Sequence, residues 1–241
     1  MKKVLVIDIG GTNVKVLAAG HTERRRCPSG PKMTPQRMVA AVKELVADWE
    51  YDVVSIGYPG PVYRNKPVAE PHNLGRGWTR FNFREAFNRP VKIINDAAMQ
   101  AVGSHRKGNL FFLGLGTGLG TALIVDGAIV PMELAHLPYK RATYEDYLGL
   151  RGLKRMGRKK WQKHVETCVD KLIAAFQLHD VVIGGGNAKK LTKIPKGCRA
   201  GDNANAFLGG FRLWEERPDP AAHNSNSVDS RAGADHATQN R

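Results

Sequence analysis

The stretch that decides the fold is residues 91–136, VKIINDAAMQAVGSHRKGNLFFLGLGTGLGTALIVDGAIVPMELAH. Its opening, VKII, is apolar and β-branched enough for a buried parallel strand. It ends on Asn95-Asp96, which puts two polar side chains where such a strand meets a cleft. AAMQAVGSHRKG reads as a helix closed by Gly108, and residues 110–115 as a second buried strand. That strand runs into Gly114, Gly116, Gly118 and Gly120. Glycine at every second position is expected to let the backbone take positive φ and turn its N–H groups onto an anion of phosphate size. Strand residues resume at 121–125, and Asp126-Gly127 marks a hairpin returning through 128–130, just before Glu133 and His136. Taken singly, Asp96 reads as a helix cap and the glycine run as a bulged strand bend. The run does not have the dinucleotide spacing GxGxxG, and GSHRKGN misses the Walker pattern because Asn109 stands where lysine is needed.

Upstream, VLVIDIG carries Asp8 into Gly10-Gly11-Thr12-Asn13, and a second strand follows at 14–18. A carboxylate beside two glycines at such a turn suits a Mg²⁺–phosphate contact; the plainer reading is an ordinary hairpin. Arg24-Arg25-Arg26 reads as a solvated loop. Thr34-Pro35 starts a helix that Met38, Val42, Leu45 and Trp49 carry to about residue 49. A strand at 52–56 opens on the rigid loop GYPGPV, and Asn73 lies in the polar loop EPHNLGRGW. Asn82 and Glu85 resemble a capping box for a short helix. Residues 3–105 therefore read β-β-α-β-α-β-α.

Downstream, residues 144–157 form a short helical segment loosened by Gly149 and Gly152. A longer helix then carries Trp161, Val165, Cys168, Val169, Leu172, Ile173 and Phe176 on one face. A strand at 180–183 opens on Gly184-Gly185-Gly186-Asn187, a third glycine loop, and Asp202 is expected to cap a last helix ending near Leu213. Residues 217–241 have almost no large apolar side chain and are expected to be disordered.

A chain of 241 residues allows one large domain or two lobes with a cleft. No leader and no apolar run long enough to span a bilayer is read, so a cytoplasmic location is expected. Cys27, Cys168 and Cys198 are isolated, which indicates neither a disulfide framework nor a zinc site. The net charge of +15 favours a polyanionic partner. Seven basic residues and no acid fall within 151–163: Arg151, Lys154, Arg155, Arg158, Lys159, Lys160 and Lys163. Charge runs are usually solvated helix faces, but this one holds about half of the net excess.

Three glycine loops, each after a short apolar strand, resemble the ROK family of glucokinases and its polyphosphate glucokinase subgroup. The likeness runs from Val4 to about Trp214. DIGGTNVK looks like the family's first phosphate motif and GLGTGLGTALIVDG its second, while VVIGGGN looks like the loop under the nucleotide of ATP-using members. The resemblance implies an α/β, actin/hexokinase-like (ribonuclease H-like) two-lobed sugar kinase fold with a cleft between the lobes. It divides the chain into 1–106, 107–216 and the tail.

It also implies roles. Asp96 is the catalytic base; Asn73, Asn95, Glu133, His136 and Glu145 contact the sugar. Asp8, Gly10, Gly11, Thr12, Asn13, Lys15, Gly116, Thr117, Gly118, Gly185, Gly186 and Asn187 bind phosphate or nucleotide, with Asp8 meeting Mg²⁺ through water. The expected reaction is phosphorylation of glucose or a close hexose at the 6-hydroxyl, with polyphosphate or ATP as donor; a strictly ATP-dependent kinase is the alternative. A non-catalytic nucleic-acid binder ranks lower, because Trp161 alone interleaves the basic cluster. A homodimer is implied, with no zinc, nucleic acid or membrane partner. ELAH has Ala135 where the family has glycine, which would strain the loop if positive φ were needed there.

Overall fold

The computed structural model describes residues 2–202 and 204–215; the expected disordered tail lies outside the described residues. In chain order the elements are β1 (Val4–Ile9), β2 (Asn13–Ala18), β3 (Arg25–Pro28), α1 (Pro35–Leu45), β4 (Val53–Tyr58), β5 (Val62–Tyr63), β6 (Lys66–Pro67), α2 (Phe83–Phe87), β7 (Val91–Asn95) and α3 (Asp96–Ser104). There follow β8 (Leu110–Leu115), β9 (Leu119–Val125), β10 (Ala128–Pro131), β11 (Pro138–Tyr139), β12 (Ala142–Thr143), α4 (Tyr144–Leu148), α5 (Leu150–Phe176), β13 (Val181–Gly184), a 3₁₀ turn at Ala188–Lys190, β14 (Cys198–Ala200) and α6 (Asn205–Arg212).

Two five-stranded sheets follow one plan, β3-β2-β1-β4-β7 and β10-β9-β8-β13-β14. In each, a central strand pairs antiparallel with the next strand in sequence and parallel with a later one: β1 with β2 and β4, β8 with β9 and β13. The turn after Asp8 and the turn of the second glycine run are therefore equivalent positions of two like-built sheets. Buried parallel strands explain the unbroken apolar runs of β1, β4 and β8.

Helix α3 packs against strands of both sheets, with β4 and β7 on one side and β8, β9 and β13 on the other. Its fit is tight: a Cβ on Gly57 of β4 would lie 2.3 Å from Met99 Cε, and one on Gly120 of β9 would lie 2.8 Å from Ala97 Cβ. The two sheets fall on either side of residue 107, but α6, counted by sequence with the second lobe, returns to the first. It crosses α3 so closely that a Cβ on Gly103 or Gly209 would collide with the other helix's backbone, and a Cβ on Gly210 would meet Val6 of β1. Ser55 donates to Gly210 O at 2.6 Å, Trp214 Nε1 donates to Ser55 Oγ at 2.9 Å, and Lys92 donates to Leu213 O at 2.6 Å.

Four local expectations are corrected. Arg25 and Arg26 belong to strand β3, paired to β2; the Arg25 guanidinium lies over the Trp49 ring and binds Leu45 O and Asp48, which is why arginines serve in an edge strand. Helix α1 stops at Leu45, and a turn carries Trp49 into the core. The expected boundary at Gly157 is present, its φ of 73° suiting glycine, but Gly152 does not loosen the segment before it, which is helical from Leu150. Asp202 accepts from Ala204 N at 2.7 Å and tightens the approach to α6 without capping it.

Candidate active site

Asp96 is the first residue of α3, and Asn95 is its cap. Asn95 Oδ1 accepts from Ala97 N and Ala98 N at 3.0 and 3.2 Å, and its Nδ2 donates to Gly60 O at 3.1 Å. Both ends of the Asn95 amide thus fix the start of α3 against the Gly-Pro loop, leaving one N–H for a ligand. Burial pushes the Asp96 carboxyl up to about 7; the charge of Asp8 and, more weakly, that of Glu133 add to this, and the Ala97 N–H opposes it. Asp8, Asp96 and Glu133 therefore gather in one electrostatic neighbourhood although they lie in β1, in α3 and beyond β10.

Asp8 stands opposite Lys15 in the β1–β2 ladder, and Lys15 Nζ lies 3.3 Å from Asp8 Oδ2. The turn between them is closed by Gly10 N donating to Asn13 O at 2.9 Å, while Thr12 and Asn13 share a side-chain contact at 3.4 Å. Ser29 braces the same turn, its Oγ donating to Gly10 O at 2.6 Å and its N to Thr12 O at 3.0 Å. Gly11 packs close to the Asn73 loop: a Cβ there would lie 3.3 Å from Asn73 Cβ, a tight contact. The first glycine turn and the loop that carries Asn73 are thus in contact.

The loop around Asn73 is organised by Glu70, which the sequence reading passed over. Glu70 Oε2 accepts from Gly77 N and Trp78 N at 2.9 and 3.1 Å, and Oε1 from Thr79 N and Thr79 Oγ1 at 3.2 and 2.9 Å. Burial alone would raise its pKa, but these donors outweigh it and hold Glu70 below the usual carboxylate range. Trp78 is fully buried between Tyr58 and Phe83, an anchor for the loop.

The second and third glycine loops form one cradle. Asn187 N donates to Leu115 O at 2.8 Å and Asn187 Nδ2 to Gly116 O at 2.7 Å. Gly185 has φ +83°, and a Cβ on it would meet the Leu115 backbone at 2.6 Å, so both its conformation and its room demand glycine. Gly186 faces open space. In the second loop the expected positive φ is absent: none of Gly114, Gly116, Gly118 and Gly120 adopts it. Gly118 and Gly120 make room instead, whereas a Cβ on Gly116 would meet nothing closer than 3.8 Å. A Cβ on Gly118 would sit 2.5 Å from Glu145 Oε2, which accepts from Leu119 N at 3.2 Å. Glu145 is thereby seated under the second glycine loop, and its Oε1 makes no hydrogen bond among the described residues.

Thr121 Oγ1 donates to Met132 O and accepts from Leu134 N, each at 3.3 Å, and so holds the backbone on both sides of Glu133 to β9. Glu133, His136 and Thr117 are exposed, and the His136 and Thr117 side chains make no hydrogen bond among the described residues. Ala135 is buried with no left-handed φ, so the expected strain does not arise.

Cations frame the cradle on two sides. Leu150 N donates to Gly116 O and Thr117 O at 3.1 and 3.2 Å, so α5 and its basic residues start at the second loop. Lys189, Lys190 and Lys193 follow Asn187, and the Arg158 guanidinium joins the two strips by donating to Lys190 O and Leu191 O. Arg151 is paired with Asp146, and Arg155 lies over Tyr147; Lys154, Lys159, Lys160 and Lys163 are exposed and form no ion pair among the described residues.

For Mg²⁺ the donor set fits. Asp8 is one carboxylate beside an open glycine turn, in a neighbourhood of three carboxylates that a cation would relieve; the remaining ligands would be water and donor oxygens. Among the described residues no cluster of three or more His, Cys, Asp or Glu is arranged to hold a metal, and no helix is long and apolar enough to cross a membrane.

The ROK family profile matches residues 4–131, more than half of the chain and the whole span from Asp8 past Asp96 to the second glycine loop. The chain belongs to the ROK family. It is similar to a glucokinase of Pyrobaculum calidifontis, 29% identical over 138 residues, which is 54% of this chain and 46% of that protein. A polyphosphate glucokinase of Mycobacterium tuberculosis is 25% identical over 209 residues, 78% of each. The inorganic polyphosphate/ATP-glucomannokinase of Arthrobacter sp. strain KM superposes with a TM-score of 0.76 at 23% identity, covering 88% of this chain and 98% of that one. The fold is thus the actin/hexokinase-like α/β fold of ROK sugar kinases. The match spans less than half the length of the P. calidifontis relative.

Proposed function

We propose that this ROK protein transfers a phosphoryl group to the 6-hydroxyl of glucose or a close hexose. The observation that supports it most is the convergence on Asp96. A carboxyl held near 7 is poised to take a proton at neutral pH, and it feels the charges of Asp8, just before the first glycine turn, and of Glu133. Asn73, the free N–H of Asn95, Glu133, His136 and Glu145 would hold the sugar. Asp96 accepts the hydroxyl proton as the sugar oxygen bonds to the terminal phosphorus, and the bond from that phosphorus to the rest of the donor breaks. Backbone N–H groups of Gly11, Thr12, Thr117 and Gly118, with Lys15, neutralise charge on the donor oxygens, while those of Gly10 and Gly116 are already given to Asn13 O and Gly118 O; such positioning and electrostatics dominate phosphoryl transfer. Mg²⁺ held at Asp8 would supply further neutralisation of that charge.

Inorganic polyphosphate is the donor we favour. Two cationic strips begin at the fused glycine loops, with no carboxylate between Asp146 and Glu166 or between Asp180 and Asp202. A chain with about one negative charge per unit displaces counterions along such a track. ATP is the second reading, supported by Gly185, Gly186 and Asn187, whose loop is built and open. The test is formation of hexose 6-phosphate with Mg²⁺ and either long-chain polyphosphate or ATP. Faster turnover with polyphosphate, lost on Lys189→Ala/Lys190→Ala with ATP turnover kept, supports the favoured donor; turnover with ATP alone refutes it.

A further inference from the structure

At β7, the edge strand of the first sheet, a groove of about 610 Å³ runs between that strand and the segment 79–84, and Asp96 is not in its lining. Lys66, Arg80 and Arg84 line it, with no carboxylate in the lining. None of the three forms an ion pair among the described residues; Glu85, the nearest acid in sequence, is turned onto the Asn82 amide at 3.1 Å. Phe81, which stands between Arg80 and Arg84 in sequence, also lines the groove; it is half-buried, and its ring packs edge-on against Phe83 at 4.8 Å. We infer that this groove is a second ligand site, for a small phosphorylated sugar.

The chemistry selects that class. Two guanidinium forks and an ammonium without protein counter-ions match the oxygens of a phosphate dianion. An immobile aromatic face beside them suits the apolar face of a sugar ring, which a bare oligophosphate does not have. The volume is in the range of small-molecule pockets, roughly 300–1,000 Å³. A polymer is better served by the long cationic strips of the second lobe.

The groove touches both elements that hold the sugar. Ile93 lines it about 7 Å along β7 from Asn95. Thr79 lines it too and is bound twice by Glu70, the residue that closes the Asn73 loop. An occupant that draws in Arg80 therefore bears on the neighbouring Thr79 and, through Glu70, on the loop of Asn73. The site does not depend on the reaction proposed above, since occupancy is measurable without turnover.

Isothermal titration of the full chain with glucose 6-phosphate, tripolyphosphate and inorganic phosphate, for the wild type and for Arg80→Ala/Arg84→Ala, tests it. Both arginines are exposed and make no side-chain contact that folding needs, and thermal unfolding of the variant checks this. The wild type should show a glucose 6-phosphate binding event that the variant loses or weakens at least tenfold, and Phe81→Ala should weaken the same event. Identical isotherms in wild type and double variant would overturn the site. Tripolyphosphate binding there as tightly as glucose 6-phosphate would overturn the sugar-phosphate class.

Discussion

Ala97 and Gly120 meet where the two lobes join: a Cβ on Gly120 would lie 2.8 Å from Ala97 Cβ. Ala97 follows Asp96, and Gly120 closes the second glycine run, so the helix that starts with the proposed base is seated on the strand that follows the second glycine loop. Gly120→Val is expected to push α3 off β9 at a cost of about 1–3 kcal/mol and to lower kcat more than it raises the KM of either substrate. Ala97→Gly in the same chain should restore part of both losses. Thermal unfolding and steady-state kinetics of the wild type and the two variants check this.

Asp96 makes both activity and stability depend on pH. Its carboxyl is raised from the ordinary 3.8 to about 7, so the rate should climb with pH through a midpoint near 7 as the base becomes ionised. For stability the sign is opposite. The folded chain holds this proton more tightly than the unfolded one, so stability falls as pH rises from about 4 to about 7 and levels off above that. Asp96→Asn removes that cost. In metal-free buffer at pH 8 it should be more stable than the wild type by about 1–3 kcal/mol, and no more stable at pH 4; denaturant unfolding at the two pH values measures it.

Glu70 contacts no substrate in this account, yet it orders the loop of Asn73 through four hydrogen bonds. Glu70→Ala should raise the KM for hexose roughly tenfold, in line with ~1–2 kcal/mol of lost ordering, while kcat and the donor KM change little. A fall in kcat with an unchanged hexose KM would contradict the role.

Asn65 covers the open edge of the first sheet. Its Nδ2 donates to Val91 O at 2.9 Å and its Oδ1 accepts from Ile93 N, which are ladder positions that an incoming strand would use. Asn65 itself has φ 66°, so Asn65→Gly keeps the backbone and removes only the plug. Self-association on gentle heating, followed by light scattering, should rise in that variant.

Local patterns carried much of this molecule into view. Asp8, Asp96 and the three glycine loops sit at strand ends, where apolar runs stop abruptly, and the strand order placed them as read. What stayed hidden acts at a distance or through shape. Glu70 works on backbone N–H groups seven to nine residues away, and no side-chain pattern announces them. The β3 strand was masked by its arginines, whose value lies in Trp49, Leu45 and Asp48. The alternating glycines of the second loop suggest positive φ, which none of them adopts; the close neighbours of Gly118 and Gly120 are Glu145 and Ala97, which no local stretch contains. The return of α6 to the first sheet rests on Gly103, Gly209 and Gly210, each ordinary until the partner helix or strand is known.

The most direct test of the central claim compares wild type and Asp96→Asn for phosphoryl transfer to glucose, followed by ³¹P NMR with Mg²⁺ and each donor in turn. The account predicts sugar 6-phosphate from the wild type and a loss of at least ~100-fold in kcat in the variant, the low end for a general base, with folding intact. Turnover by Asp96→Asn within a few fold of the wild type would contradict it.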